Sequence, residues 1–308
     1  MHSTLIQMTL VMVSGIVWRV FKPLGLDAEE TRKVLTTVVY YYFLPAMIVE
    51  VLCNAEIGVQ SLQYTVLGVA STLFAILCIW TLGTFLKFEH RCLGAVILAA
   101  AFPNVTYLGL PVLEQTFGTW ARSVVIQLDL FAIAPLLFTL GIVIVRHYGR
   151  DTSANRQSVW SFLNVPPFWA AGIAVAINLN HFTLPMWLSG SLKLLSAAVI
   201  PLMLFSLGLA LRWEAVKLRN IPYILPIVII KMILMPLFAM TLADPFIIAA
   251  KYKAAIVLDL AMPSMVLGIV LCDRYQLDSS LYAMAVTITT ALSLITLPLW
   301  HQIVMTRF

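Results

Sequence analysis

Apolar runs at about residues 3–21, 34–53, 63–86, 92–118, 121–146, 166–180, 187–211, 222–242, 252–272 and 279–305 follow one another with only short polar gaps between them. A hydrocarbon core of about 30 Å is spanned by about 20 apolar residues, each adding 1.5 Å along a helix. The pattern therefore predicts an all-α membrane protein of ten transmembrane helices, with no stretch left for a water-soluble domain. Lipid offers no partner to backbone N–H and C=O groups, so helices are the form such runs must take. Composition agrees: 61% of residues are hydrophobic and 11% charged, far from the balance of a soluble globular chain.

The formal net charge of +5 does not point to nucleic acid, because the basic residues are scattered through the gaps rather than gathered on one face. Cys53, Cys78, Cys92 and Cys272 lie within or beside apolar runs, without CxxC spacing or a neighbouring His, and read as small hydrophobes. His2, His90, His147, His181 and His301 fall near the ends of runs, and no two share a helix face as metal ligands would. Neither metal nor cofactor is expected. The first run has no basic residue before it and no small-residue cleavage site, so it reads as a retained helix rather than a signal peptide.

The longest polar stretch, residues 147–164 (HYGRDTSANRQSVWSFLN), divides the runs five and five. This predicts a first five-helix repeat at 1–146, a cytosolic linker at 147–165 and a second five-helix repeat at 166–308. With the amino terminus outside, the inner gaps hold Arg19, Lys22, Arg32, Lys33, Lys87, Arg91, Arg146, Arg150, Arg156, Arg212, Lys217, Arg219 and Arg274, thirteen in all. The outer side then holds only Arg122, Lys251, Lys253 and Arg307. The positive-inside rule places both termini outside the cell membrane.

An odd number of spans per half makes the second half enter the membrane upside down, so similarity between the halves is an inverted repeat. RCLGAVILAAAFPN (91–104) aligns without gaps on KYKAAIVLDLAMPS (251–264), matching Ala95 with Ala255, Leu98 with Leu258, Ala101 with Ala261 and Pro103 with Pro263. Phe43-Leu44-Pro45 in the second span answers Val199-Ile200-Pro201 in the seventh.

A proline inside a helix removes one N–H and frees the carbonyl four residues earlier, which lipid cannot repair. Pro103 frees the carbonyl of Ala99, and Asn104, Thr106, Tyr107, Gly109 and Pro111 follow it; Pro263 frees that of Asp259, and Ser264 and Gly268 follow. A proline alone marks no more than a kink, but matching positions in inverted halves carry more weight. Paired interrupted helices bring N–H ends and carbonyl ends to one place near the midplane, where an anionic group and a cation each find a partner.

Ionisable groups within the runs form a second constellation. Asp129, eight residues after Ala121, and Asp259, eight after Lys251, each lie about 12 Å from an outer helix end. Lys231, nine residues after Pro222, reaches a similar depth from the other side. Burying a charge there costs about 3 kcal/mol or more, which calls for mutual pairing or protonation. The set reads either as a structural ion pair or as a coupling site for a proton or sodium ion, with Asp259 foremost because Pro263 also frees its carbonyl. Glu50, near the outer end of the second span, is a further coupling candidate that can also simply reach water, and Lys193 can snorkel in the same way. Glu114 and Asp244 read as solvated.

YYFLPAMI in the second span, AAFPNVTYLGLPVLEQTFG in the fourth, the polar central loop, and DLAMPSMVLGIVLCDRYQLD through TLPLW in the ninth and tenth make the chain resemble the auxin efflux carrier family over nearly its whole length. The resemblance implies that helices four and nine are broken and cross at their prolines. It also implies a scaffold of helices 1, 2, 6 and 7 supporting a mobile unit of helices 3–5 and 8–10, usually as a homodimer in membrane lipid. By the same resemblance Asn104 occupies the crossover asparagine position that contacts substrate in the plant carriers, joined by Pro103, Pro263, Ser264, Thr106 and Tyr107. Ser264 stands where those carriers have a second asparagine, and their long cytosolic loop is missing, which points away from auxin and toward a small organic anion of a bacterial cell. The expected activity is secondary transport of a carboxylate by elevator-like alternating access, with a channel or non-transporting receptor of the same fold as the alternative. No GxSxG, HExxH or DDxxD pattern occurs, so no enzyme is expected.

Overall fold

The computed structural model describes residues 2–55, 57–150, 165–246 and 248–308. Most of the expected linker, residues 151–164, lies outside the described residues. The rest is helical: α1 (His2–Phe21), α2 (Ala28–Leu52), α3 (Val59–Phe85), α4 (His90–Ala101), α5 (Leu110–Phe117), α6 (Ala121–Tyr148), α7 (Pro166–Leu179), α8 (Met186–Ala210), α9 (Leu218–Ala243), α10 (Ala250–Leu260), α11 (Gly268–Arg274) and α12 (Ser279–Arg307). Every apolar run coincides with a helix, except that 92–118 and 252–272 each divide into two short ones. Among the described residues six helical segments are long and apolar enough to cross a membrane by themselves: α2, α3, α6, α9, α12 and Met186–Ala215, which contains α8.

Local chemistry sets several of the ends. Asp27 caps α2 by accepting the Glu29 N–H at 2.9 Å, with Glu29 and Glu30 placed in the positive first turn. Asp278 caps α12 in the same way, accepting from the Leu281 N–H at 2.8 Å.

Large apolar side chains such as Leu77, Ile173, Leu194, Leu225 and Ile295 are exposed on the outside, as a lipid-facing surface requires. The short helices, by contrast, are enclosed: Ala95, Ala99, Ala100 and Ala101 of α4 and Ala255, Val257 and Leu258 of α10 have no exposed surface. Interrupted backbone is thereby shielded by protein rather than lipid. α1 lies against α8, and α2 against α7 and α8; α3 packs on α4, α6 and α9, and α12 on α4 and α10. α1 and α8 cross at backbone distance, because a methyl at Gly208 would strike the Met12 carbonyl and one at Gly15 the Phe205 carbonyl.

Prolines within the long helices do not break them. Val39–Phe43 in α2, Val105–Gly109 leading into α5, Asp129–Ile133 in α6 and Ile230–Leu234 in α9 are widened, π-helical turns. Each is followed two residues later by a proline: Pro45, Pro111, Pro135 and Pro236. The N–H groups of Leu44, Leu110, Ala134 and Met235 reach five residues back, to Val39, Val105, Asp129 and Ile230. A proline ring presses on the carbonyl of the preceding turn, and widening that turn relieves the pressure while the helix continues.

Candidate functional site

Pro103 and Pro263 interrupt the chain where α4 and α10 end. The two interrupted segments run antiparallel and pair: the Asn104 N–H donates to the Pro263 carbonyl at 2.8 Å and the Met265 N–H to the Phe102 carbonyl at 3.0 Å, bridging Pro103 to Ser264. The Ser264 hydroxyl donates to the Ala99 carbonyl at 2.7 Å, the group that Pro103 leaves without a helical donor. The Ser264 N–H donates to Thr289 Oγ1 of α12 at 3.1 Å, and the Tyr282 hydroxyl to the Met265 carbonyl at 2.7 Å. Ser264 thus spends both its protons on the protein, so its hydroxyl is left to a ligand only as an acceptor. The Asp259 carbonyl is not free either, since it accepts from the Met262 N–H at 3.1 Å.

Asn104 differs. It is almost fully buried, and among the described residues its Nδ2 has no hydrogen-bond partner, although an amide offers two donors there. It lines a cavity of about 70 Å³ between α2, α6 and the crossing segments. Thr106, Tyr107, Tyr40, Asp129 and Met265 share the lining, with Leu44, Ile48, Ile126, Phe138 and Phe168 making the rest chiefly apolar and aromatic. The Thr106 hydroxyl donates to Asp129 Oδ2. Among the described residues the lining includes no basic side chain. The volume suits a few waters, well below the 300 Å³ or more of a typical ligand pocket, so the cavity is small.

Asp259 and Lys231 are wholly buried and do not line this cavity. Among the described residues both Asp259 carboxylate oxygens are unpartnered, and the carboxylate packs against Gly109, where a methyl group would run into it. Lys231 Nζ lies 3.1 Å from Met235 Sδ. The mutual ion pairing expected of Asp129, Asp259 and Lys231 is therefore corrected: among the described residues no ion pair joins Lys231 to either carboxylate. Asp129 takes its hydrogen bond from Thr106 instead, and Lys231 turns along its own helix.

Glu50 belongs to another cluster. Arg122 donates from Nε and one terminal nitrogen to both oxygens of Glu114, at 2.7 and 2.6 Å, and from its other terminal nitrogen to Glu50 at 3.5 Å. The Ser196 hydroxyl of α8 donates to Glu50 at 3.4 Å. The solvated reading of Glu114 is corrected: its side chain is 12% exposed, because α5 and α6 form a tight hairpin that seats it on Arg122. Asp244 is the more exposed partner of Arg307 at 2.6 Å. The Arg122 cluster lines a second cavity of about 520 Å³, with Tyr64, Trp120, Gln127, Lys193 and Tyr252.

Tyr40, Phe138 and Phe168 were not legible as cavity residues from composition. Tyr40 carried a usable signal. It sits on the widened turn before Pro45 as Thr106 and Tyr107 do before Pro111, Asp129 before Pro135 and Lys231 before Pro236. The signal is partial, because Ser196 and Ser293 stand five residues before Pro201 and Pro298 in turns that stay regular, but widened turns are frequent at functional sites.

Residues 2–301 match the family described as membrane transport protein. An uncharacterized transporter of Methanocaldococcus jannaschii is 30% identical over 313 residues, covering 99% of each chain. One of Methanothermobacter thermautotrophicus is 28% identical, covering 95% of this chain and 96% of its own. The uncharacterized transporter YfdV of Escherichia coli is 22% identical over 70% of this chain and 69% of its own.

Proposed function

Because the chain belongs to the membrane transport protein family, that of the auxin efflux carriers, we propose that this multi-pass membrane protein is a secondary transporter carrying a small organic anion, a carboxylate, across the cell membrane by alternating access. The observation that carries the reading is Asn104, a buried amide whose donors are unpartnered among the described residues, facing a small cavity where two interrupted helices cross. A carboxylate seated there takes the Asn104 donors, with Thr106, Tyr107 and Tyr40 beside it, while Pro103, Pro263 and Ser264 hold the crossing that positions Asn104.

The chain has ten spans in two inverted repeats, 1–146 and 166–308, with both termini outside. Supporting this are the two breaks at matching alignment positions, which pair across a local antiparallel bridge. An elevator-like motion of α3–α6 and α9–α12 against α1, α2, α7 and α8 is supported by the way each set packs chiefly on itself. Coupling to a proton or sodium ion falls to Asp129 inside the cavity and to Asp259 with Lys231, since ionisable groups within a membrane mark ion pathways. Two copies in lipid form the working unit.

A thermal-shift screen of purified protein against small mono- and dicarboxylates tests the reading, because a ligand that binds the folded state raises its stability by mass action. A stabilising ligand should then be concentrated by sealed vesicles containing the protein. Downhill flux without concentration would instead make it a channel, and binding without flux a receptor.

A further inference from the structure

The two cavities are stacked along the same pair of helices. α2 contributes Leu44 and Ile48 to the smaller cavity and Glu50 and Val51 to the larger one. α6 contributes Ile126 and Asp129 to the first and Arg122, Ser123 and Gln127 to the second. The Arg122–Glu50 contact therefore ties α2 to α6 on the side of the smaller cavity where the larger one begins.

The contacts that hold Arg122 are unequal. Its fork on Glu114, at 2.6 and 2.7 Å, is as short as charge-assisted hydrogen bonds become, and it fixes the guanidinium in place. The remaining terminal nitrogen has only long contacts, to Glu50 at 3.5 Å and to Ser196 at 3.4 Å. Glu50 is held no better, with Ser196 at 3.4 Å as its other partner and 18% of its side chain exposed. A fixed arginine thus presents one weakly engaged donor to a roomy cavity that also holds Lys193 and the rings of Tyr64, Trp120 and Tyr252. Lys251 stacks over two of those rings, 5.3 Å from the centre of Trp120 and 4.8 Å from that of Tyr252.

We propose that Arg122 is a docking point in the larger cavity for the carboxylate of the transported anion, and that Glu50 is an internal stand-in holding that point while the anion is absent. The inference rests on the reading of the protein as a carboxylate carrier. An arriving anion replaces one carboxylate on Arg122 by another, so the charge at the guanidinium is unchanged. The displaced Glu50 turns to water, and Lys193 offsets the added negative charge. The same exchange releases the tie between α2 and α6, so capture of the anion and loosening of the helix pair around the smaller cavity are one event.

Benzoate is the probe, a carboxylate on a ring of a size to sit among Tyr64, Trp120 and Tyr252, and benzamide is its uncharged counterpart. Isothermal titration of the purified full-length protein compares the parent with Glu50→Gln, alone and combined with Arg122→Gln or with Asn104→Ala. A tethered carboxylate competes at an effective concentration of millimolar order, so its removal should tighten benzoate binding about tenfold. The gain should persist with Asn104→Ala, disappear with Arg122→Gln and be absent for benzamide. Equal benzoate affinity in Glu50→Gln and parent, or an equal gain for benzamide, overturns the proposal, and the benzamide arm decides it even where Arg122→Gln does not fold. A gain abolished by Asn104→Ala places the anion at the crossover and also overturns it. Failure of the crossover reading shows separately, as unaltered concentration of the stabilising carboxylate by vesicles containing Asn104→Ala, with the Glu50→Gln gain in benzoate binding intact.

Discussion

The Ser264 hydroxyl donates to the Ala99 carbonyl across 2.7 Å, and Ala99 is the residue whose helical donor Pro103 removes. The defect in one interrupted helix is repaired by the residue that follows the proline of the other. The Asn104 N–H satisfies the Pro263 carbonyl. The repair runs one way, because the Asp259 carbonyl freed by Pro263 is met within its own segment by the Met262 N–H, and the crossing leaves only certain groups free for a ligand.

Ser264→Ala should act on stability first. It leaves the Ala99 carbonyl buried without that donor, a loss of about 1 to 3 kcal/mol. Thermal denaturation of the purified variant in detergent measures it. A melting temperature equal to the parent's would show that another group repairs Ala99.

Asn104→Ala should act on binding instead, because its Nδ2 has no partner to lose among the described residues. Removing a hydrogen bond to a charged ligand costs about 1.5 to 3 kcal/mol, or one to two decades in affinity. Titration with the stabilising carboxylate, against Asn180→Ala at the exposed end of α7 as control, measures the difference. Parent-like affinity in Asn104→Ala would move the site away from the crossover.

Asp129→Asn and Asp259→Asn test coupling. In at least one of them, transport in vesicles should lose its dependence on pH or on the sodium gradient while the protein remains folded. Gly109→Ala, which forces the Asp259 carboxylate to shift, should disturb the same dependence if Asp259 is the group involved. Unaltered coupling in both aspartate variants would reduce these carboxylates to packing roles.

Orientation is open to thiol labelling in intact cells, in a background lacking the partly exposed Cys53 and Cys78. A cysteine at Lys251 should react with a membrane-impermeant reagent and one at Lys217 should not. The reverse pattern would invert the topology.

What the sequence determined by itself is whatever depends on local chemistry. The apolar runs become helices because a helix satisfies its own backbone within a few residues, and no distant partner is needed. Pro103 and Pro263 interrupt α4 and α10 because the missing N–H is a property of the residue. Asn104 stands out because an amide beside such an interruption has few local partners. The widened turns before Pro45, Pro135 and Pro236 were legible in principle from the same chemistry, although a proline in an apolar run reads first as a kink.

The tertiary structure decided which polar group meets which. Ala99 and Ser264 are 165 residues apart in sequence, and Thr106 and Asp129 are 23 apart. Depth along a helix, which sequence supplies, placed Asp129, Asp259 and Lys231 at one level and suggested that they pair. Direction around the helix, which depends on how each helix is rotated against its neighbours, turned Asp129 to Thr106, Lys231 to Met235 and Glu114 to Arg122 instead. Charges at equal depth attract over a distance, but an ion pair or hydrogen bond forms only within a few ångströms, and that last approach is fixed by packing.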